Sequence, residues 1–233
     1  GITLLMPVPF TGAEGLGRYL ASQAVDGVLL LSMPANHPLL RDLLTRRMPT
    51  VAAGAPVGFE RQISYVTVDN REAAREMVRY LHACGRRRIA TITGPLDTDG
   101  GVMRLAGYRD VVGEIDERYV VTGDYSRSGG EAAMDRLLDQ AADLDAVFVA
   151  SDLMAVGALA ALRRRGRTVP REVAVAGFDD GHAATTAQPG LTTIRQPWQR
   201  IGVEMVRLLL GVIAGERQSA VILPHELIVR SSA

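Results

Sequence analysis

Cysteine is nearly absent from this chain: Cys84 stands alone, so no internal disulfide is available and nothing points to an oxidising compartment. Cys84 reads instead as a buried helix residue. Aromatic residues make up only 5% of the 233, with Trp198 the single tryptophan. Long apolar runs are missing too; none approaches the roughly 20 residues that span a bilayer, which excludes a membrane-spanning helix. Net charge is also absent, since 26 basic and 26 acidic residues cancel. The chain therefore lacks the positive field that drives nonspecific nucleic-acid binding, and any contact with DNA would need another segment. Catalytic signatures are wanting as well: there is no G-x-S-x-G elbow, no phosphate-binding loop with a terminal Lys, no G-x-G-x-x-G fingerprint and no C-x-x-C pair. His37, His82, His182 and His225 are scattered without metal-ligand spacing, so no metal and no cofactor is expected. Gly1 opens directly into an apolar stretch without the basic start of a secretory leader, as a processed or trimmed chain also would.

What is present is alternation. Apolar strand candidates at Ile2–Met6, Gly27–Leu31, Thr50–Ala53, Tyr65–Val68, Ile89–Thr93, Tyr119–Gly123, Ala146–Ala150 and Val173–Phe178 alternate with amphipathic helix candidates, as in a parallel sheet flanked by helices. The helix over Arg71–Ala83 carries Ala74, Met77, Val78 and Leu81 on one stripe and stops at Gly85. A second unit repeats this grammar: a helix over Leu153–Arg165 buries Val156, Leu159, Ala160 and Leu162, and Gly166 ends it. An amphipathic helix then runs from about Trp198 to Ala214, and a terminal strand pair falls around Val221–Val229. Arg86–Arg88 and Arg163–Arg165 read as solvated helix ends, where cations meet the negative end of the macrodipole.

Two strand ends carry the most information. VFVASDLMAV (Val147–Val156) and VAVAGFDD (Val173–Asp180) pass abruptly from apolar to small or acidic residues, as expected where buried parallel strands deliver polar side chains to a ligand crevice. Asp69, Asp97, Arg104, Tyr125, Ser151, Asp152, Asp179, Gln196 and Trp198 all fall at strand or loop ends. Carboxylates and guanidinium groups engage neighbouring hydroxyls in pairs, and an aromatic face covers the C–H face of a pyranose, so the mixture suits a sugar. Asp69 and Asp152 read equally as helix caps. Asp179–Asp180 has no strong helix behind it, and two adjacent carboxylates repel unless one is partnered.

The motifs V-D-N (Val68–Asn70), R-R-I-A-T-I-T-G-P (Arg87–Pro95), R-L-A-G-Y (Arg104–Tyr108), G-D-Y (Gly123–Tyr125), A-S-D-L-M-A-V-G-A (Ala150–Ala158), V-A-G-F-D-D (Val175–Asp180) and L-T-T-I-R-Q-P (Leu191–Pro197) occur in order over nearly the whole chain. Together they resemble the effector-binding domain of lactose-repressor (LacI/GalR) family transcription regulators. The resemblance implies an α/β fold of two doubly wound parallel-sheet subdomains of periplasmic-binding-protein type, residues 1–95 with 196–223 and residues 96–195 with 224–233. Three crossovers would fall near Pro95, Gln196 and Pro224, with Gly94–Pro95 suited to a hinge, and a small-molecule effector would sit in the cleft between subdomains. It implies that Arg104 clamps ligand hydroxyls, that Asp179 accepts from two of them, that Ser151 stands at a ligand-contacting position, and that Tyr125 and Trp198 stack on the ligand. Gln196 and Asp97 complete the expected set, while Asp152 supports its helix.

The resemblance also implies a homodimer without catalytic residues, cytoplasmic and off the membrane, in which effector binding shifts operator affinity. Ala73–Leu81 and Leu39–Leu44 are candidates for the dimer face or, equally, for sheet packing. The Gly94–Tyr108 segment is most similar to actinobacterial members that answer to β-glucosides such as cellobiose; the basic residues being arginine rather than lysine suits a high-GC genome. Nothing here resembles the helix-turn-helix that would grip operator DNA, so the chain reads as a fragment. Pro7–Val25 has room for one helix where relatives have a helix and a strand, and the link at Val112–Ile115 is short, so residues omitted from the natural chain are expected at both places. A periplasmic sugar-binding protein of a transporter would share the fold and is the alternative. No carboxylate pair argues for a glycosidase.

Overall fold

A computed structural model describes residues 3–5, 25–31, 33–114 and 116–233. The expected helix within Pro7–Val25 lies outside the described residues, apart from Val25 itself. In chain order the strands are β1 Thr3–Leu5, β2 Val28–Leu31, β3 Thr50–Ala53, β4 Ser64–Val68, β5 Ile89–Thr93, β6 Val120–Thr122, β7 Ala146–Val149, β8 Ala174–Ala176, β9 Thr193–Arg195, β10 Ala220–Leu223 and β11 Glu226–Ile228. The helices are α1 Pro38–Thr45, α2 Asn70–Ala83, α3 Asp99–Val112, α4 Arg127–Gln140, α5 Asp152–Arg164, α6 His182–Thr186 and α7 Trp198–Ile213.

Tertiary contacts divide the chain into two compact units, Gly1–Val68 with Pro197–Leu223 and Asp69–Gln196 with Pro224–Ala233. The first crossing thus falls at Val68/Asp69, not at Pro95. The reason is strand pairing: β5 adds in parallel to β6 and β7, and α2 packs on α3, which commits residues 69–95 to the second unit. Gly94–Pro95 is therefore internal to that unit rather than a hinge.

The first unit holds a five-stranded parallel sheet in the order β1-β2-β3-β4-β10. Val28, Leu30, Leu40, Leu43 and Ile63 form part of its core. The second holds a four-stranded parallel sheet, β6-β5-β7-β8, and a two-stranded antiparallel one, β11-β9. The expected terminal strand pair does not form: Pro224 carries the chain out of the first sheet, so β10 pairs with β4 and β11 with β9.

Periodicity explains why α2 forms. Ala74, Met77, Val78 and Leu81 are all fully buried, Asp69 caps the N-terminus by accepting from the Glu72 amide at 2.9 Å, and Gly85 at φ 87° leaves the helix through a conformation other residues resist. The stripe is packed inside the second unit, and Leu40 and Leu43 are buried inside the first, so neither stripe offers its centre as a dimer face. Cys84 lies at the C-cap and is exposed, not buried. In α5 the buried face is Met154, Ala155, Ala158, Ala161 and Leu162; Val156 and Ala160 are only half-buried and line an open concavity of about 450 Å³ beside α6. The arginines at the end of α5 do more than meet solvent: Arg164 pairs with Glu131 and Asp135, and Arg165 with Asp135 and Asp139, all on α4.

Candidate functional site

The C-terminal ends of β5, β6, β7 and β8 bring polar groups together in the second unit. Order decides this: β5 sits beside β6 on one side and β7 on the other, so the connections leaving β5 and β6 run in opposite directions, and a crevice opens at such a switch point.

Arg104, on α3, is the anchor. Its residue is only 7% exposed. Nε donates to Asn70 Oδ1 at 2.9 Å and Nη1 to the Ala150 carbonyl at 2.6 Å, while the guanidinium lies 3.5 Å from the centre of the buried Phe178 ring. Nη2 makes no hydrogen bond to a described residue. Asn70 is itself fixed by donating to Asp99 Oδ2 at 2.9 Å. The guanidinium is thereby held flat and immobile, a preorganised donor.

Asp179 faces it. Its Oδ1 stands 3.8 Å from Arg104 Nη1, too far for a hydrogen bond, and accepts from Gln196 Nε2 at 2.7 Å. Burial pushes the Asp179 carboxyl above its ordinary value, against the opposing pull of Arg104 and Gln196. Asp180 turns the other way: its 6% exposed carboxylate takes Arg195 Nε at 2.7 Å and Arg230 Nη2 at 2.6 Å. The repulsion expected between the adjacent acids is answered by these two arginines.

Backbone strain concentrates here. Of the five non-glycine residues with positive φ among the described residues, three are Tyr125 at 64°, Asp179 at 120° and Asp180 at 53°. For an aromatic residue such a φ is an outlier that the surroundings must enforce. The Tyr125 ring lies against the Gly94 backbone, its hydroxyl is 3.3 Å from Thr98 Oγ1, and its amide donates to Met154 Sδ.

The cap of α5 is Ser151, not Asp152; Ser151 Oγ accepts from the Met154 amide at 3.3 Å. Asp152, 2% exposed, accepts instead from Thr193 Oγ1 at 2.6 Å and from the Gly181 amide at 2.9 Å. Its carboxyl is pushed up to about 7, chiefly by burial, with Asp179 and Asp180 adding to the rise and Thr193 and Gly181 opposing it.

Arg104, Tyr125, Ser151, Asp179 and Gln196 thus belong to one unit. Asp97 is exposed in the loop between β5 and α3, and Trp198 opens α7 in the other unit, about half exposed. Sequence reasoning missed Asn70 and Phe178 as the supports of Arg104, although both stand inside quoted motifs. Among the described residues no group of His, Cys, Asp or Glu could hold a metal ion.

Comparison with known proteins decides the family. Residues 59–233 match the periplasmic binding protein-like domain. The transcriptional regulator CelR of Thermobifida fusca is 48% identical over 226 residues, covering 94% of this chain and 66% of its own length. The transcriptional repressor CytR of Escherichia coli K12 is 33% identical over 221 residues, covering 91% and 64%. A solved complex of the regulator CelR with cellobiose superposes with a TM-score of 0.91 at 47% identity, over 94% of this chain and 69% of that one. The chain belongs to the lactose-repressor family, as its periplasmic-binding-protein-like domain.

This LacI-family chain spans just under two thirds of the length of those two relatives. Both are named as transcription regulators, neither as an enzyme nor as a transport protein. Among the described residues no helix is long and apolar enough to cross a membrane.

Proposed function

We propose that this chain is the effector-sensing part of a cytoplasmic, homodimeric, DNA-binding transcription regulator, and that its effector is a sugar, a β-glucoside such as cellobiose. The observation that carries the reading is the facing pair of Arg104 and Asp179, 3.8 Å apart. A guanidinium held by two other acceptors and a carboxylate oriented by Gln196 are spaced so that hydroxyls satisfy both at once. Asp179 accepts from vicinal hydroxyls, Nη2 of Arg104 donates to their oxygens, and Tyr125 supplies an aromatic edge and a hydroxyl. Ser151, Asp97 and Trp198 are the further contacts of this reading. The 48% identity to CelR, together with the cellobiose in the solved CelR complex, favours that sugar over a nucleobase.

Effector binding then acts by population shift between a state of high and a state of low operator affinity, and moves that equilibrium only by its differential affinity for the two. Operator DNA is met through an N-terminal domain outside this chain. Thermal unfolding against mono- and disaccharides, with purine bases as outgroup, tests the assignment. A ligand at a hundred times its dissociation constant adds about 2.7 kcal/mol, a rise of roughly 5–10 °C for a chain of this size. Cellobiose is expected to give it, and to lose it in Asp179→Ala. A shift with a purine and none with any sugar would overturn the sugar assignment.

A further inference from the structure

Asp152 touches no residue of the Arg104 cluster directly through its carboxylate, yet it holds the turn that carries Asp179. The turn after β8 runs Phe178, Asp179, Asp180, Gly181. At its start the Asp152 amide donates to the Phe178 carbonyl at 2.8 Å. At its end the Gly181 amide donates to Asp152 Oδ2 at 2.9 Å. One residue therefore grips both ends of a turn whose two central residues hold left-handed φ values of 120° and 53°, conformations that persist only when the surroundings over-determine them. The other carboxylate oxygen is tied to β9 through Thr193 Oγ1 at 2.6 Å. Close approach is built in at Gly177, where a Cβ would stand 2.5 Å from Asp152 Oδ1 and 2.7 Å from Leu191 Cδ2.

We propose that Asp152 is a positioning residue: it brackets the Phe178–Gly181 turn and so sets where the Asp179 carboxylate stands for ligand. The role deepens the sugar-sensing assignment and rests on it for its functional consequence. Geometry rather than charge is the essential property, because the bracket needs an acceptor for the Gly181 amide in a space with no room for another methylene. Asparagine supplies that acceptor in the same volume, turning its amide towards Thr193, whose hydroxyl accepts as well as donates. Glutamate keeps the charge and does not fit. Alanine leaves the Gly181 amide without its acceptor.

The test compares Asp152→Asn, Asp152→Glu and Asp152→Ala by calorimetric titration with cellobiose, and follows the Gly181 amide by hydrogen exchange in the sugar-free protein. Met134→Ala, a fully buried deletion on α4, controls for general loss of stability. Alanine and glutamate are expected to weaken cellobiose about tenfold or more and to speed Gly181 exchange, while asparagine restores both and Met134→Ala changes affinity little. Alanine with unchanged affinity and protection would overturn the proposal, as would asparagine failing like alanine. Should the unaltered chain ignore cellobiose, the sugar assignment falls while Gly181 exchange still decides whether Asp152 holds the turn.

Discussion

The two units share a grammar of parallel strands and amphipathic helices, and they use it differently. Strand order in the first, β1-β2-β3-β4-β10, follows the sequence in one direction without a reversal among the described strands. Among the described residues β3 and β10 run out into Gly54–Pro56 and Pro224, which carry no polar side chain, while β4 hands the chain directly to Asp69–Asn70 of the second unit. Among the described residues the first unit's buried polar side chains are Thr50 and Ser64. The second unit reverses direction at β5 and buries Arg104 and Asp152 together with Asn70, Gln196 and several hydroxyls. Burying such groups costs free energy unless each is hydrogen-bonded, and here Arg104, Asp152, Asn70 and Gln196 all are. The first unit buries little that an apolar core would not. The second gives up stability to hold charge in fixed positions, a pattern of functional sites.

The largest expected break in that contrast is Arg104→Met. It strands Asn70, the Ala150 carbonyl and Asp179 without the buried cation, which costs about 3–5 kcal/mol and abolishes the rise in melting temperature with cellobiose. A variant as stable as its parent would show that the guanidinium is not held as the structure holds it.

Leu43→Ala is the counterpart in the first unit. Leu43 is fully buried in an apolar cluster, so truncation costs about 2–5 kcal/mol in chemical denaturation. The dissociation constant for cellobiose should not move. Equal loss of affinity in both variants would erase the distinction between a core and a site.

Asp152 sharpens the contrast through pH. Its folded carboxyl is raised from 3.8 to about 7, so between those values the folded chain keeps a proton that the unfolded chain has released. The stabilisation from that proton is complete below about pH 4 and is lost as pH rises to about 7, on the order of 4 kcal/mol. Asp152→Asn cannot titrate. Denaturant midpoints at pH 4.5, 5.5, 6.5 and 7.5 should therefore favour the variant progressively over its parent; a constant difference would mean that the carboxyl is not raised.

Much of this is legible in the sequence. Strand and helix positions followed from periodicity, and the R-L-A-G-Y and V-A-G-F-D-D motifs brought Arg104 and Asp179 into one candidate set. The crossing at Val68/Asp69 was not legible, because the turn residues Gly94 and Pro95 give a stronger local signal than V-D-N. What commits residues 69–95 to the second unit is the pairing of β5 with β6 and β7, a non-local contact that local pattern does not report. The pairing of β10 and β11 with different sheets was hidden for the same reason. Asp152 and Ser151 show a finer limit: both suit a helix N-terminus, and only backbone geometry reveals which one caps and which one reaches the Gly181 amide.

That pair also yields the smallest and most discriminating effect. Ser151→Ala removes the acceptor for the Met154 amide, a cap worth about 1 kcal/mol. If capping were its whole contribution, the variant would melt lower and bind cellobiose as before. The proposed contact with ligand adds a second consequence, a weaker affinity beyond anything the lost cap explains. Asp69→Ala supplies the reference, since Asp69 caps α2 by the same kind of bond, to the Glu72 amide. Both variants should lose comparable stability, and the affinity gap between them isolates what Ser151 gives to ligand. No gap would leave Ser151 as a cap alone, and the ligand would then rest on Arg104, Asp179 and Gln196 with their neighbours.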